Sequence, residues 1–347
     1  LLNESVWSWA IPAYYFVGGL AGAALVLAAA AQLRKSKASE RLIRRCHWIA
    51  FIGSGVSAIL LIYDLGRPSR FLNMLRVFRP TSPMNMGAWI LSGAGATTSA
   101  ALLLRTRPGL LGALGEASGY IAGIFGLGLA TYTGVLVANT AVPVWQESRR
   151  MLPVLFGASA MSSLGSAFQM CVEDPEERGI AKAFGAVGQA AELVASIVME
   201  KQASAVRRVG RPFRRGLSGF LWRSAQLLTA ASLLASVLPK PAGIARNRRI
   251  AAGALGAAGS LLMRLAVERA GTASARDARA SFHLQRDSKS RNLLLLWYGN
   301  RFAVVLDGLV REIRRVYACP MPFAHKDHAK GAAFEHSRKL PPSGRRW

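Results

Sequence analysis

Three apolar runs of this chain each carry one ionisable side chain where charge is expensive: Glu192, Arg223 and Arg264. A charged group at membrane depth by default marks a pathway or a ligand site. Glu192 lies near the middle of the run 183–199, and a carboxyl group held where its ionised form is costly is a candidate proton carrier. The competing reading is a hydrogen bond to a neighbouring helix. Arg223 and Arg264 fall within one or two turns of their run ends, close enough for the guanidinium to snorkel, and are given structural roles. Asp64 closes an earlier run and is followed by Leu-Gly-Arg-Pro, which must end a helix because Gly66 frees the backbone and Pro68 blocks continuation. As a carboxylate at membrane depth it is suited to taking protons from a ligand; alternatively it braces the turn by pairing with Arg67. Tyr132, in the motif TYTG, presents a phenol that hydrogen-bonds a carbonyl or simply packs with an ordinary partner.

Metal chemistry has little support. Cys46, Cys171 and Cys319 form no CxxC pair, and His47 is the only histidine before His283, so paired axial histidines for a membrane haem are missing. Cys319, His325, His328 and His336 follow no regular ligand spacing.

The elements that must position these groups are membrane spans. Half of the 347 residues are hydrophobic, and windows of about 17 to 24 mostly uncharged residues recur. They cover 10–33, 47–63, 86–104, 117–142, 151–172, 183–199, 217–238 and 250–267. Lipid does not tolerate unpaired backbone groups, so eight such windows predict an all-α integral membrane protein. The first window reads as a retained span rather than a removed signal. Gly18 with Gly22, Gly119 with Gly123, and Gly253, Gly256 and Gly259 put small residues at spacings that permit close helix packing.

The formal charge is +26, but the basic residues lie in connectors and the tail, which argues against nucleic acid and for anionic lipid head groups. No Lys or Arg precedes Arg34, whereas the first connector holds Arg34, Lys35, Lys37, Arg41, Arg44 and Arg45; the positive-inside rule places it in the cytoplasm and the N-terminus outside. The connector with Arg207, Arg208, Arg211, Arg214 and Arg215 pulls the other way. Counting spans gathers the start of span 1, the end of span 2, the start of span 3 and the end of span 4 on one face. Those ends hold Trp7, Trp9, Tyr14, Tyr15, Tyr63, Asp64, Asn85, Trp89, Tyr132, Asn139 and Trp145, of which Trp7 and Trp145 read as an interfacial aromatic belt. The turn-rich loop from Tyr63 to Trp89 covers the same face.

Residues 271–347 are polar and basic, with a short apolar helix expected at 293–310 and disorder beyond it.

Three stretches, WSWAIPAYYFVGGLAGAA (Trp7 to Ala24), DLGRPSRFLNMLRVFRPTSPMNMGAWIL (Asp64 to Leu91) and TYTGVLVANTAVPVWQESRRMLPVLFGASA (Thr131 to Ala160), together resemble the NrfD/PsrC family of integral membrane subunits of bacterial respiratory oxidoreductases. The resemblance covers roughly residues 7 to 280. It implies eight transmembrane helices in two four-helix bundles, about 7–145 and 150–268 within a membrane domain 1–270, in the cell inner membrane. It also implies a quinone or quinol site, for menaquinone or ubiquinone, near the outer face of the first bundle. A ferredoxin-like iron-sulfur subunit would sit above it, with a catalytic oxidoreductase subunit beyond. By position Tyr14 stands where such members have a quinone-contacting histidine and Tyr132 where they have a contacting tyrosine, while Asn139 and Gln146 replace titratable groups. The implied quinone-binding set is Tyr14, Asp64, Trp89 and Tyr132, with Asp64 and Glu192 in proton transfer. Arg67, Arg70, Arg76 and Arg79 become a docking surface for the partner. A secondary transporter and a membrane anchor without a quinone site are the competing readings.

Overall fold

The computed structural model describes residues 9–34, 37–206, 208–238 and 245–277. Trp7, the helix expected at 293–310, and Cys319, His325, His328 and His336 lie outside the described residues.

Helix α1 (Ala10–Gln32) opens the chain, and α2 (Lys37–Leu65) returns antiparallel to it. Gly66, at φ 70°, ends α2, and Pro68 occupies the first turn of the short α3 (Pro68–Arg76), the stop and restart expected of Asp-Leu-Gly-Arg-Pro. The next spans are α4 (Pro83–Leu104) and α5 (Leu110–Ala138). A five-residue helix α6 (Pro143–Glu147) then leads into α7 (Leu152–Cys171) and α8 (Pro175–Ser204). A 3-10 turn (Arg211–Phe213) precedes α9 (Gly216–Val237), and α10 (Ala245–Ala275) completes the described residues. The described residues are helical and joined by short turns.

Seven of these helices are long and apolar enough to cross a membrane: α1, α2, α4, α5, α7, α8 and α10. Helix α9 has the length, but with Arg223, Gln226 and several serines it falls below that apolarity. The eight windows of the sequence thus correspond to eight long helices, one of them weakly apolar. The protein is a multi-pass, all-α membrane protein.

Neighbour relations divide the helices into two groups of four. Helices α1, α2, α4 and α5 pack on one another, as do α7, α8, α9 and α10, and α7 and α10 contact α1 between the groups. In the apolar windows of α1 and α7, 61% and 67% of residues are buried, against 28% in α2, so α1 and α7 form the seam while α2 faces outward. Small residues bring the helices together. A Cβ at Gly22 would come within 2.6 Å of the backbone of Gly126 and Ala130 on α5, so the α1–α5 crossing requires glycine there. Side chains finish the loop ends. Asp174 caps α8 by accepting from the backbone N–H of Glu176 (3.0 Å) and Glu177 (3.2 Å), and it pairs with Arg41 of α2 at 2.6 Å. Glu177, fully buried, meets both Arg41 and Arg45 at 3.1 Å, which ties α8 to α2 on the face opposite α3.

Candidate functional site

The first half of α1 carries Tyr14 and Tyr15 side by side, each 1% exposed, with ring centroids 6.1 Å apart. Tyr14 turns into the first bundle: its ring touches Gly18, whose missing side chain also leaves room for Ser57 of α2 and Leu129 of α5. Tyr132 of α5 is buried in the same bundle and lies directly on Gly87 of α4, where any Cβ would overlap the phenol. The two phenols are electrostatic neighbours, and Asp64 at the end of α2 and Glu268 of α10 act on the adjacent Tyr15. The Tyr14 Oη is buried with no hydrogen-bond partner among the described residues. A buried O–H without an acceptor is uncommon in a folded protein, because it forfeits the hydrogen bond it made to water. The Tyr14 hydroxyl is therefore a donor awaiting an acceptor such as a carbonyl oxygen. Because it is enclosed, a ligand that reaches it must displace a neighbouring side chain.

The loop between α2 and α4 lies over this end of the bundle. One residue organises it: Asn85 accepts from the backbone N–H of Arg79 (2.8 Å) and donates to the carbonyls of Met74 (2.6 Å) and Val77 (2.8 Å), while Ser82 caps α4. Trp89, 38% exposed, meets Phe78 of the loop edge-on at 5.7 Å, and Tyr63 meets Trp9 at 6.0 Å. Asp64 is half-buried. Arg67, Arg70, Arg76 and Arg79 are all exposed. Arg70 has a local duty as well, donating from Nη1 to the Leu65 carbonyl (3.0 Å) at the end of α2. The structure thus brings Tyr14, Tyr132, Asp64 and Trp89 to one end of the first bundle and spreads the four arginines over its surface.

Glu192 is elsewhere, at the centre of the second bundle and fully buried. Its Oε2 lies 3.3 Å from Ser260 Oγ, which lies 2.9 Å from Ser162 Oγ, so Ser162 can donate to Ser260 and Ser260 onward to the carboxylate. Ser159 flanks the same group. Arg264 is the charge that faces it.

Arg264 does not snorkel. It is 1% exposed, with Nη1 donating to the Tyr15 carbonyl of α1, Nη2 donating to the Phe156 carbonyl of α7 (3.0 Å), and its guanidinium 4.9 Å from the Phe156 ring centroid. Gly19 makes room for it: a Cβ there would lie 2.6 Å from Nη2. The apolar run ends at Val267, but α10 continues through Glu268 and Arg269 to Ala275, eleven residues or roughly 16 Å past Arg264. That continuation puts the guanidinium at mid-helix. Arg223 behaves as expected, half-exposed and paired with Glu200 at 2.7 Å.

One further expectation changes. Trp145 is not part of a lipid-facing belt: it is fully buried, donates from Nε1 to the Val267 carbonyl (2.9 Å) and packs on Gly271, pinning α6 to α10. Asn139 and Gln146 use their amides on local carbonyls, Val135 for the first and Ala138 and Thr140 for the second, and so shape the turn between α5 and α6. Among the described residues no group of three or more His, Cys, Asp or Glu side chains could hold a metal.

The family model described as polysulphide reductase, NrfD, matches residues 2–173. A curated relative, the C polypeptide of the polysulfide reductase of Wolinella succinogenes, is 26% identical over 180 residues, a match that takes in 46% of this sequence and 56% of that protein. The protein therefore spans little more than half the length of this relative. The family match takes in Tyr14, Asp64, Trp89 and Tyr132. Residues 2–173, which hold the first five spanning helices, are thus similar to the polysulphide reductase NrfD family.

Proposed function

We propose that this chain is the membrane subunit of a respiratory oxidoreductase complex of the cell inner membrane, binding quinone or quinol in its first bundle and exchanging electrons with an iron-sulfur partner subunit. The observation that carries the reading is the buried Tyr14 hydroxyl, a donor without an acceptor, beside Tyr132 at the end of a family-matched bundle. The donor set fits the group, since a quinone ring offers carbonyl acceptors and a quinol offers protons to a nearby carboxylate.

When bound, the quinone supplies two-electron, two-proton chemistry. The protein's own residues do the rest. Tyr14 and Tyr132 orient the ring by hydrogen bonds from α1 and α5. Gly87 sets how far the Tyr132 phenol reaches, because the ring rests on its backbone. Trp89 and Phe78 cover the site from the loop side and limit water. Asp64, half-buried at the end of α2, holds the proton released by quinol oxidation and passes it toward the surface. Glu192 would serve in proton transfer only if Arg264 tolerates its neutralisation; two carbonyls and an aromatic ring give the guanidinium that tolerance. Arg264 also joins the two bundles, since it grips the backbone of Tyr15, next to Tyr14, while facing Glu192. The exposed Arg67, Arg70, Arg76 and Arg79 give the iron-sulfur partner, and through it a catalytic oxidoreductase subunit, a basic landing surface over the site.

The test is quinol turnover by the assembled complex with Tyr132→Phe and with Asp64→Asn. Losing one orienting hydrogen bond should lower kcat/KM about tenfold, and losing the proton acceptor about a hundredfold. Unchanged turnover in both variants would remove the site assignment and leave a membrane anchor.

A further inference from the structure

On the face opposite α3, the first turns of α2, the end of α4 and the first turns of α5 line an open cavity of about 780 Å³. Its chemistry is lopsided. Arg105 forks onto Glu40 through Nη2 (2.9 Å) and Nε (3.4 Å), which leaves its buried Nη1 without a partner among the described residues. His47, 1% exposed, lines the same cavity, and its Nε2 is buried with no partner among the described residues. Arg44 lines it too, exposed and with no ion partner among the described residues. Arg44 and His47 of α2 and Arg105, the residue that closes α4, therefore converge on one space with their acidic neighbour Glu40 already engaged. The α5 wall carries a different group, the exposed carboxylate of Glu116.

The depth of the cavity says what kind of molecule matches it. All of these residues sit at the ends of spanning helices, where head groups meet hydrocarbon. One of its walls leads into the apolar layer: Trp48 lines the cavity and is 51% exposed, and one turn further along α2 are Phe51, 44% exposed, and Ile52, 60% exposed. The Trp48 and Phe51 rings meet edge-on at 6.0 Å and form a continuous ledge. A soluble anion would use the donors and leave both the ledge and Glu116 without a function.

We propose that this cavity is a binding site for a phospholipid with a phosphoethanolamine head group. The phosphodiester accepts hydrogen bonds from Arg44, Arg105 Nη1 and His47 Nε2, the primary ammonium faces Glu116, and the acyl chains run over Trp48, Phe51 and Ile52. Bound in this way the lipid bridges α2, α4 and α5 on the face away from the proposed quinone site. The proposal does not depend on that site.

The experiment is native mass spectrometry of the detergent-purified full-length protein, titrated with phosphatidylethanolamine, phosphatidylglycerol or inorganic phosphate, with Arg215→Gln on the opposite face as control. One phosphatidylethanolamine should remain bound per protein molecule. Arg44→Gln should weaken it about fivefold and Arg215→Gln should not. Glu116→Gln should weaken phosphatidylethanolamine while leaving phosphatidylglycerol unchanged. Circular dichroism melts of each variant establish that the bundle is folded. Equal weakening by Arg44→Gln and Arg215→Gln would show general surface attraction and overturn the site. Displacement of the lipid by millimolar inorganic phosphate would make it a site for a soluble anion. Phosphatidylglycerol binding as tightly as phosphatidylethanolamine, with Glu116→Gln inert, would overturn the head-group assignment.

Discussion

Arg264→Met is the perturbation whose outcome the structure specifies most fully. The guanidinium is 1% exposed, donates to two backbone carbonyls on two other helices, and faces the fully buried Glu192. Each hydrogen bond from a charged donor contributes roughly 1.5–3 kcal/mol, so the pair accounts for about 3–6 kcal/mol. Methionine recovers about 1–2 kcal/mol of apolar contact beside Phe156 and Gly19. It also removes the positive charge that acts on the buried Glu192. The hydrogen-bond and packing terms leave a loss of about 1–5 kcal/mol, and the charge removed from beside Glu192 puts the single variant in the upper part of that range, about 3–5 kcal/mol. Glu192→Gln should cost less, because Arg264 keeps both carbonyls and the Phe156 ring. The double variant should cost less than the sum, with a coupling of about 1–3 kcal/mol. Loss of helical circular dichroism during titration of the micelle-bound protein with sodium dodecyl sulfate measures all three. A single-variant cost below about 1 kcal/mol, or additivity within about 0.5 kcal/mol, would refute the argument that these charges hold the bundles together.

Other predictions follow from particular contacts. Gly87→Ala places a methyl group in the Tyr132 phenol and should lower quinol turnover in the assembled complex with little loss of assembly, as read by kcat/KM and co-purification of partner subunits. Asn85→Ala removes three hydrogen bonds that shape the loop and should release the partner or weaken its hold several-fold while the helical circular dichroism is kept; an unchanged complex would deny the loop its docking role. Asp174 predicts a pH dependence. The Glu177 backbone N–H, with that of Glu176 and the Arg41 and Arg45 guanidiniums, holds its carboxyl below the ordinary carboxylate range. A depressed folded-state value means its stabilisation is present above about pH 4 and is lost as pH falls through that lower value. Asp174→Asn should therefore lower Tm at pH 7, with the gap to the parent protein closing in acid. A gap that is the same at every pH would contradict the assignment.

Hydropathy suffices to find the helices, because a polypeptide in lipid must satisfy its backbone within each span and long apolar runs reveal this directly. The turn at Gly66 and Pro68 is equally legible, since backbone geometry there is local. Depth is misjudged wherever a helix outlasts its apolar window. Arg264 reads as peripheral because Glu268 and Arg269 end the window, yet α10 runs on to Ala275 and buries it. Trp145 reads as interfacial because aromatic residues near span ends usually are; its burial depends on Gly271 of α10, 126 residues away in sequence. The serines at 159, 162 and 260 carry no signal, since small polar residues in a span mostly pack, and only the fold shows that they surround Glu192. Tyr14 and Tyr132 stand out through a family pattern together with span parity. Neither of these reveals that the Tyr14 hydroxyl is buried without a partner or that Tyr132 rests on Gly87.

The most direct test of the central claim is quinone binding itself. The membrane complex, purified through this subunit, should carry quinone, and a fluorescent quinol analogue should bind the parent protein about tenfold more tightly than a Tyr14→Phe variant, the loss expected for one buried hydrogen bond. Absence of quinone from the purified complex, together with equal analogue affinity in parent and variant, would contradict the site at the end of the first bundle.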